Sequence, residues 1–295
     1  MQPPETTLTR RALLLGGIGM ASASALLVAC GDGGTGTDGG DPGGAAADFV
    51  VVPRFPNTAL TPGNVRLPIS IASAAGALAV SGPAMLTGAI TDSSGARVAT
   101  VEAPRFGIGQ AVAYWSVTAT IDRPGIYSLA IDGALGDPTP FQLFDPGDVT
   151  IPTVGSSLPG FDTPTTADAR GVDPICTRDP APCPFHELTL TKALAAGMPV
   201  VYLVGTPAHC STGTCAPGLD FLVEVSGAYA GRVAFVHAEV FADPEGTAVA
   251  PAVSALTLDY EPVIWITDAT GKVTERIDIV WDAAELATLL SASLA

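Results

Sequence analysis

Hydrophobic and polar positions divide the chain into regions of different period. Residues 12–29 form a largely apolar run of 18 residues that contains three glycines and two serines. A glycine-rich polar stretch, GDGGTGTDGGDPGGAAA, follows at 31–47. From residue 48 to 144 the pattern changes to short alternating segments, among them 65–72, 84–91, 111–121 and 125–131. Turn chemistry separates them at Thr61-Pro62-Gly63-Asn64, Asp92-Ser93-Ser94-Gly95 and Arg123-Pro124-Gly125. A period of two places alternate side chains on one face of a strand, so this region predicts an all-β sandwich. Residues 145–185 carry eight prolines, which forbid a long helix and favour an extended path over a surface.

Beyond 186 the pattern alternates between strand and helix. A short helix at 189–196 is stopped by Gly197, and the continuous apolar run 199–204 predicts a strand buried on both faces. Helical spacing returns over 215–229, with Leu219, Leu222, Val223 and Val225 apolar. A strand at 232–241 follows, then a helix at 247–256 weakened by Pro251. Strands at 262–267 and 272–279 flank the turn Asp268-Ala269-Thr270-Gly271. Asp282 caps a last helix to 290, with Glu285 three residues on in a variant of the capping box. The predicted order is helix, β-α-β, helix, β-β, helix.

The N-terminal run is read as an export signal rather than a fold element. Arg10 and Arg11 precede it, and it ends in Leu27-Val28-Ala29-Cys30. A membrane span needs roughly 20 strongly apolar residues, more than this run supplies. The segment resembles the lipobox of bacterial lipoproteins. That resemblance implies removal of residues 1–29, acylation of Cys30 (palmitate among the chains), and an extracytoplasmic, lipid-anchored protein on a 30–47 tether. Thr9-Arg10-Arg11-Ala12-Leu13-Leu14 resembles a twin-arginine signal, although paired arginines also occur in ordinary export signals.

Charge then narrows the partners. Without residues 1–29 the chain keeps 11 basic and 28 acidic residues, a net charge of −17. Such a surface repels phosphate backbones and anionic headgroups, which argues against nucleic acid and leaves the lipid as the membrane contact. Four cysteines remain after Cys30, as two close pairs: Cys176 with Cys183, and Cys210 with Cys215. An even number outside the cytosol suggests disulfides, though four cysteines allow three connectivities. A bond between Cys176 and Cys183 would stiffen the connector, and a structural disulfide is the expected role of that pair.

Three features carry a resemblance to the thioredoxin-like superfamily over about 186–295. The strand Val200-Val201-Tyr202-Leu203-Val204 leads into Gly205-Thr206-Pro207-Ala208-His209-Cys210. Cys215-Ala216-Pro217 then opens a helix, and Glu261-Pro262 precedes the third strand, where the family places a cis proline. The chain thus reads as a multidomain protein: signal 1–29, tether 30–47, an immunoglobulin-like β-sandwich 48–144, connector 145–185 and an α/β thioredoxin-like domain 186–295. Gly125-Ile126-Tyr127 resembles the strand that carries the tyrosine corner of immunoglobulin-like domains.

The resemblance implies thiol–disulfide exchange on exported thiol proteins or a redox partner, without a cofactor. Cys215, at a helix start, would attack, and Cys210 would resolve the mixed disulfide. Glu261 and Pro262 would hold the incoming chain, and Glu239 or Glu261 would tune a thiol. Several departures stand beside this. Four residues separate the cysteines where thioredoxins have two, Gly218 stands where the family's second cysteine falls, and His209 replaces a tryptophan. A non-enzymatic scaffold with a fixed disulfide is therefore the competing class. A third reading resembles the Sco-type copper chaperones, with Cys210, Cys215 and His209 as soft ligands. His237 is expected as a satisfied core residue and His186 as a surface one.

Overall fold

The computed structural model describes residues 48–294, and these fall within one compact unit. The expected signal segment, the Cys30 lipid site and the tether lie outside the described residues. No described helix is long and apolar enough to cross a membrane.

Seven strands build the N-terminal part: β1 (Phe49–Pro53), β2 (Gly63–Ser73), β3 (Met85–Asp92), β4 (Arg97–Phe106), β5 (Tyr114–Ile121), β6 (Gly125–Ile131) and β7 (Thr139–Leu143). Their order is β1-β2-β5-β4-β3-β6-β7, with antiparallel pairing at every step. The all-β expectation holds, as a continuous sheet rather than two separate ones. β4 makes the turn: it pairs with β3 along most of its length, but with β5 only at Arg105 and Phe106. The outer ends also approach, since Leu135 N–H donates to the Phe49 carbonyl at 2.7 Å, so the sheet curls nearly into a barrel. Inward positions such as Leu67, Ile69, Ile90, Trp115, Val117 and Leu129 fill its interior. At the β5–β6 corner the Tyr127 hydroxyl donates to the Arg123 carbonyl at 2.9 Å.

The C-terminal part follows the predicted order: α1 (Leu190–Ala195), β8 (Val200–Val204), α2 (Cys215–Ser226), β9 (Ala234–Ala238), α3 (Pro251–Leu256), β10 (Val263–Thr267), β11 (Val273–Asp278) and α4 (Ala283–Ser293). The sheet order is β11-β10-β8-β9, with β8 parallel to β9 and the other pairs antiparallel. All five residues of β8 are buried, as a strand covered on both faces requires. Val200, Tyr202 and Val204 face the layer holding α1 and α3, while Val201 and Leu203 face α2 and α4. Pro251 starts α3 rather than interrupting it, because the first helical position needs no N–H donor. The helix expected at 247–256 is shorter for that reason.

The two parts share a polar, buried contact. Arg66 on β2 makes a two-pronged pair with Glu285 on α4, Nε to Oε1 at 2.9 Å and Nη2 to Oε2 at 2.6 Å. Its guanidinium also donates to the carbonyls of Asp278 and Val280 at 3.2 and 2.6 Å. The Tyr114 hydroxyl donates to Glu285 at 2.6 Å and accepts from Asp282 N–H at 2.8 Å. Asp282 caps α4 as expected, accepting from Glu285 N–H, and its other oxygen accepts from Gly107 N–H at 2.8 Å. Glu285 is thus more than a capping residue: its carboxylate reaches across 219 residues of sequence to β2.

Candidate functional site

β8 delivers the chain to the site. Past Val204, Gly205 sits where a Cβ would lie 3.1 Å from Pro262 Cβ and 3.7 Å from Cys215 Cβ, so the small residue lets three segments converge. The loop runs out to Cys210 and returns to Cys215 at the start of α2, and the two cysteines form a disulfide.

The two sulfurs are not equivalent. Cys215 is 2% exposed, whereas Cys210 is half-buried in the loop. Thr214, at the cap position of α2, makes no side-chain cap bond, because its hydroxyl pairs with that of Thr212 at 2.7 Å. The Cys215 N–H at the helix start instead points to Cys210 Sγ at 3.3 Å, and the Thr212 hydroxyl lies 3.1 Å from the same sulfur. Unpaired N–H groups at a helix start stabilise an adjacent thiolate, and here the sulfur they serve is that of Cys210. Helix position alone gives Cys215 the attacking role; in the oxidised pair the helix-start N–H is directed at Cys210 instead.

Beneath the pair lies Glu261. Its Oε2 accepts from Thr206 N–H at 2.6 Å and sits 3.4 Å from Cys215 Sγ. Burial pushes this carboxyl above its ordinary range; the Thr206 N–H only partly offsets this, and the nearby Glu239 carboxylate adds to the rise. Glu261 thus touches the buried cysteine and also lines the open cleft beside the pair. The Glu261–Pro262 peptide is cis, and the Pro262 carbonyl accepts from Ile279 N–H at 2.9 Å. Ile279 has φ of 68°, a left-handed conformation that costs a β-branched residue energy and that nothing in the sequence pattern marks. An open cleft of about 380 Å³ adjoins the disulfide, lined by Ser211, Thr212, Val240, Val253, Leu258, Asp259, Tyr260, Glu261 and Ile279.

Gly218 lies against the Trp281 ring. A Cβ at that position would meet the Trp281 ring at 2.9 Å, and Trp281 Nε1 donates to the Gly218 carbonyl at 3.0 Å. No side chain fits there, so a second cysteine one position after Pro217 is sterically excluded.

His209 does not join the pair. Its Nε2 bonds the Pro244 carbonyl at 3.0 Å and its ring packs edge-on to Phe241, so the copper reading loses its expected third ligand. Cys210, Cys215 and Glu261 are the groups that come together.

The other cysteine pair departs most from expectation. Cys176 and Cys183 are free thiols, not a disulfide. Both turn toward the ring of His237 on β9, with His237 Nδ1 at 3.8 Å from Cys176 Sγ and 3.5 Å from Cys183 Sγ. His186, expected on the surface, is 1% exposed, and its Nε2 lies 3.2 Å from His237 Nδ1. All four residues are buried and their donor atoms lie within 4.8 Å of one another. Thr177, next to Cys176, links this cluster to the loop that carries Cys210 and Cys215. Its N–H donates to Glu239 at 2.6 Å, and its hydroxyl accepts from Ala208 N–H at 3.1 Å.

No protein-family profile matches the chain, and no curated protein matches it. Among solved structures, it is similar to a thiol:disulfide interchange protein of the thioredoxin family from Chlorobium tepidum TLS. The likeness has 13% sequence identity and a TM-score of 0.35, over 48% of this chain and 99% of that chain.

Proposed function

We propose that this chain is a lipid-tethered, extracytoplasmic protein of thioredoxin-like fold that exchanges disulfides with exported proteins through Cys210 and Cys215. The observation that carries the reading is the asymmetry of the pair. The accessible sulfur receives a helix-start N–H, while the buried one abuts a carboxyl of raised pKa. An incoming thiolate attacks Cys210 Sγ. The Cys210–Cys215 bond breaks, Cys215 leaves as a thiolate, and the protonated Glu261 gives it a proton. In the opposite direction the Glu261 carboxylate takes the Cys215 proton, and the new thiolate displaces the partner's sulfur from Cys210. Cys210 is thus the exchanging residue, Cys215 the resolving one and Glu261 the proton carrier. The cleft beside the pair, with Val240, Val253, Leu258 and Ile279 in its wall, suits an extended polypeptide with apolar side chains better than a small charged thiol.

The anchor rests on Arg10, Arg11 and the run ending in Cys30, and the immunoglobulin-like reading of the seven-stranded sheet is supported by the Tyr127–Arg123 corner. The competing reading is a scaffold whose disulfide never cycles. Both are tested by changing one cysteine at a time. Cys215→Ser accumulates mixed disulfides with thiol proteins on Cys210, and Cys210→Ser does not. A wild-type pair with a reduction potential below about −300 mV, and no trapped species in either variant, would establish the scaffold.

A further inference from the structure

We infer that Cys176, Cys183, His186 and His237 form a closed, tetrahedral zinc site that fastens the connector to the sheet behind the redox loop. The inference is independent of whether the Cys210–Cys215 pair cycles.

Geometry carries it. Zinc bonds thiolate sulfur at about 2.3 Å and imidazole nitrogen at about 2.0–2.1 Å in a tetrahedron. Those lengths place two nitrogens about 3.3 Å apart and a sulfur about 3.6 Å from a nitrogen. The observed edges at His237 Nδ1 are 3.2 Å to His186 Nε2, 3.5 Å to Cys183 Sγ and 3.8 Å to Cys176 Sγ. Three of the six edges therefore already have the dimensions of an occupied site. Single hydrogen bonds also span such distances, but three meeting at one nitrogen compete with one another, whereas a cation at their centre accounts for all three.

Proton bookkeeping points the same way. His237 Nε2 lies 2.9 Å from the Gly205 carbonyl, which only accepts, so Nε2 carries the proton and Nδ1 presents a bare lone pair. Two thiols and the His186 ring converge on that one lone pair, which can serve a single donor well. Zinc replaces the competing donors: both thiols lose their protons on binding, and the lone pairs of all four groups face the ion. The His237–Gly205 bond is the outer contact that fixes ring orientation in such sites.

The donor set selects the ion. Two sulfurs and two imidazoles suit zinc over the oxygen-seeking magnesium and calcium. All four residues are at most 5% exposed, leaving no open position for a water or substrate, so the role is structural. Cys176, Cys183 and His186 come from the connector and its end, whereas His237 is the fourth of the five residues of β9. The ion therefore pins a proline-rich segment to a sheet edge, beside the Thr177–Ala208 and Thr177–Glu239 contacts that support the redox loop.

The test is elemental analysis of the purified full chain, with zinc in the growth medium. One zinc per chain is expected in the wild type. His237→Gln and Cys183→Ser should each lose at least nine-tenths of it, while Cys210→Ser and Cys215→Ser should keep it. Because ligand variants can misfold, cobalt is also exchanged into the wild type, where the intense visible bands of tetrahedral cobalt with thiolate charge transfer are expected. A chelator should then expose two alkylatable thiols at Cys176 and Cys183. A metal-free wild type with Cys176 joined to Cys183 in peptide mapping would overturn the inference. So would zinc retained in His237→Gln, copper in place of zinc, or an octahedral cobalt spectrum.

Discussion

Replacing Glu285 by alanine tests the join between the two halves. In the wild type its carboxylate accepts two bonds from Arg66 and one from the Tyr114 hydroxyl, all at 2.6–2.9 Å. The side chains of Arg66 and Glu285 are only 8% and 6% exposed, so neither charge is hydrated when its partner is removed. After truncation Arg66 keeps the Asp278 and Val280 carbonyls and the less direct charge of the Asp278 carboxylate but loses its paired carboxylate, and the Tyr114 proton loses its acceptor. Breaking one partner of a buried pair costs about 3–5 kcal/mol. At about 2–4 °C per kcal/mol for a domain of this size, Tm should fall by about 6–20 °C. The double variant Arg66→Met with Glu285→Leu should recover most of that loss, because it removes the stranded charge as well.

The assay is thermal unfolding followed by both far-ultraviolet circular dichroism and tryptophan fluorescence, with Trp115 in the seven-stranded sheet and Trp265 and Trp281 in the other half. Coincident transitions are expected. The stabilisation is also pH-dependent. Burial works against the ionised Glu285, but Arg66 outweighs it and holds the carboxyl below its ordinary range. A depressed folded pKa gives stability that is present above the ordinary carboxylate value of about 4.3 and is lost as pH falls through the folded one. The Glu285→Ala deficit should therefore be constant near neutrality and shrink in acid. A loss under about 1 kcal/mol, or two separate wild-type transitions, would refute the buried-pair argument.

Two further outcomes follow from the site. Glu261→Gln should slow resolution of a mixed disulfide by about 100-fold and remove the pH dependence that its raised carboxyl imposes. Single-turnover exchange against pH checks this, and an unchanged profile would exclude Glu261 as proton carrier. Gly218→Ala should cost about 1–3 kcal/mol by driving a methyl into the Trp281 ring, read by denaturant unfolding; a neutral result would mean that α2 and Trp281 are not in contact.

Much of the architecture is visible in local pattern. The strand at 125–131 and the cap at Asp282 follow from alternation and from a single hydrogen-bonding side chain. β4 is harder to see, since its inward positions include the small Ala103 and Pro104 interrupts the run. The disulfide partners are local too, but their polarity is not. It depends on where one N–H points and on Glu261, 46 residues beyond Cys215. The second cluster hides for the same reason. Cys183-Pro184-Phe185-His186 has a spacing that ligand pairs use, yet its fourth member is His237, 51 residues beyond His186 within an apolar strand. There, periodicity marks a core position whatever the side chain does.

The Arg66–Glu285 pair also has a kinetic meaning. It joins β2 to the last helix across 219 residues, and the Tyr114–Asp282 bond spans 168. Contacts of such separation pay loop-closure entropy before they return any energy, so they form late in folding. A chain emerging from its N-terminus completes the seven-stranded sheet long before α4 exists, and until then Arg66 and Tyr114 wait without their partners. Completion of the fold therefore depends on the segment from Asp282 through α4. A truncation before Asp282 should leave Arg66 without its paired carboxylate and Tyr114 without its acceptor, and so leave the first-made sheet more open to proteolysis than its own core would suggest.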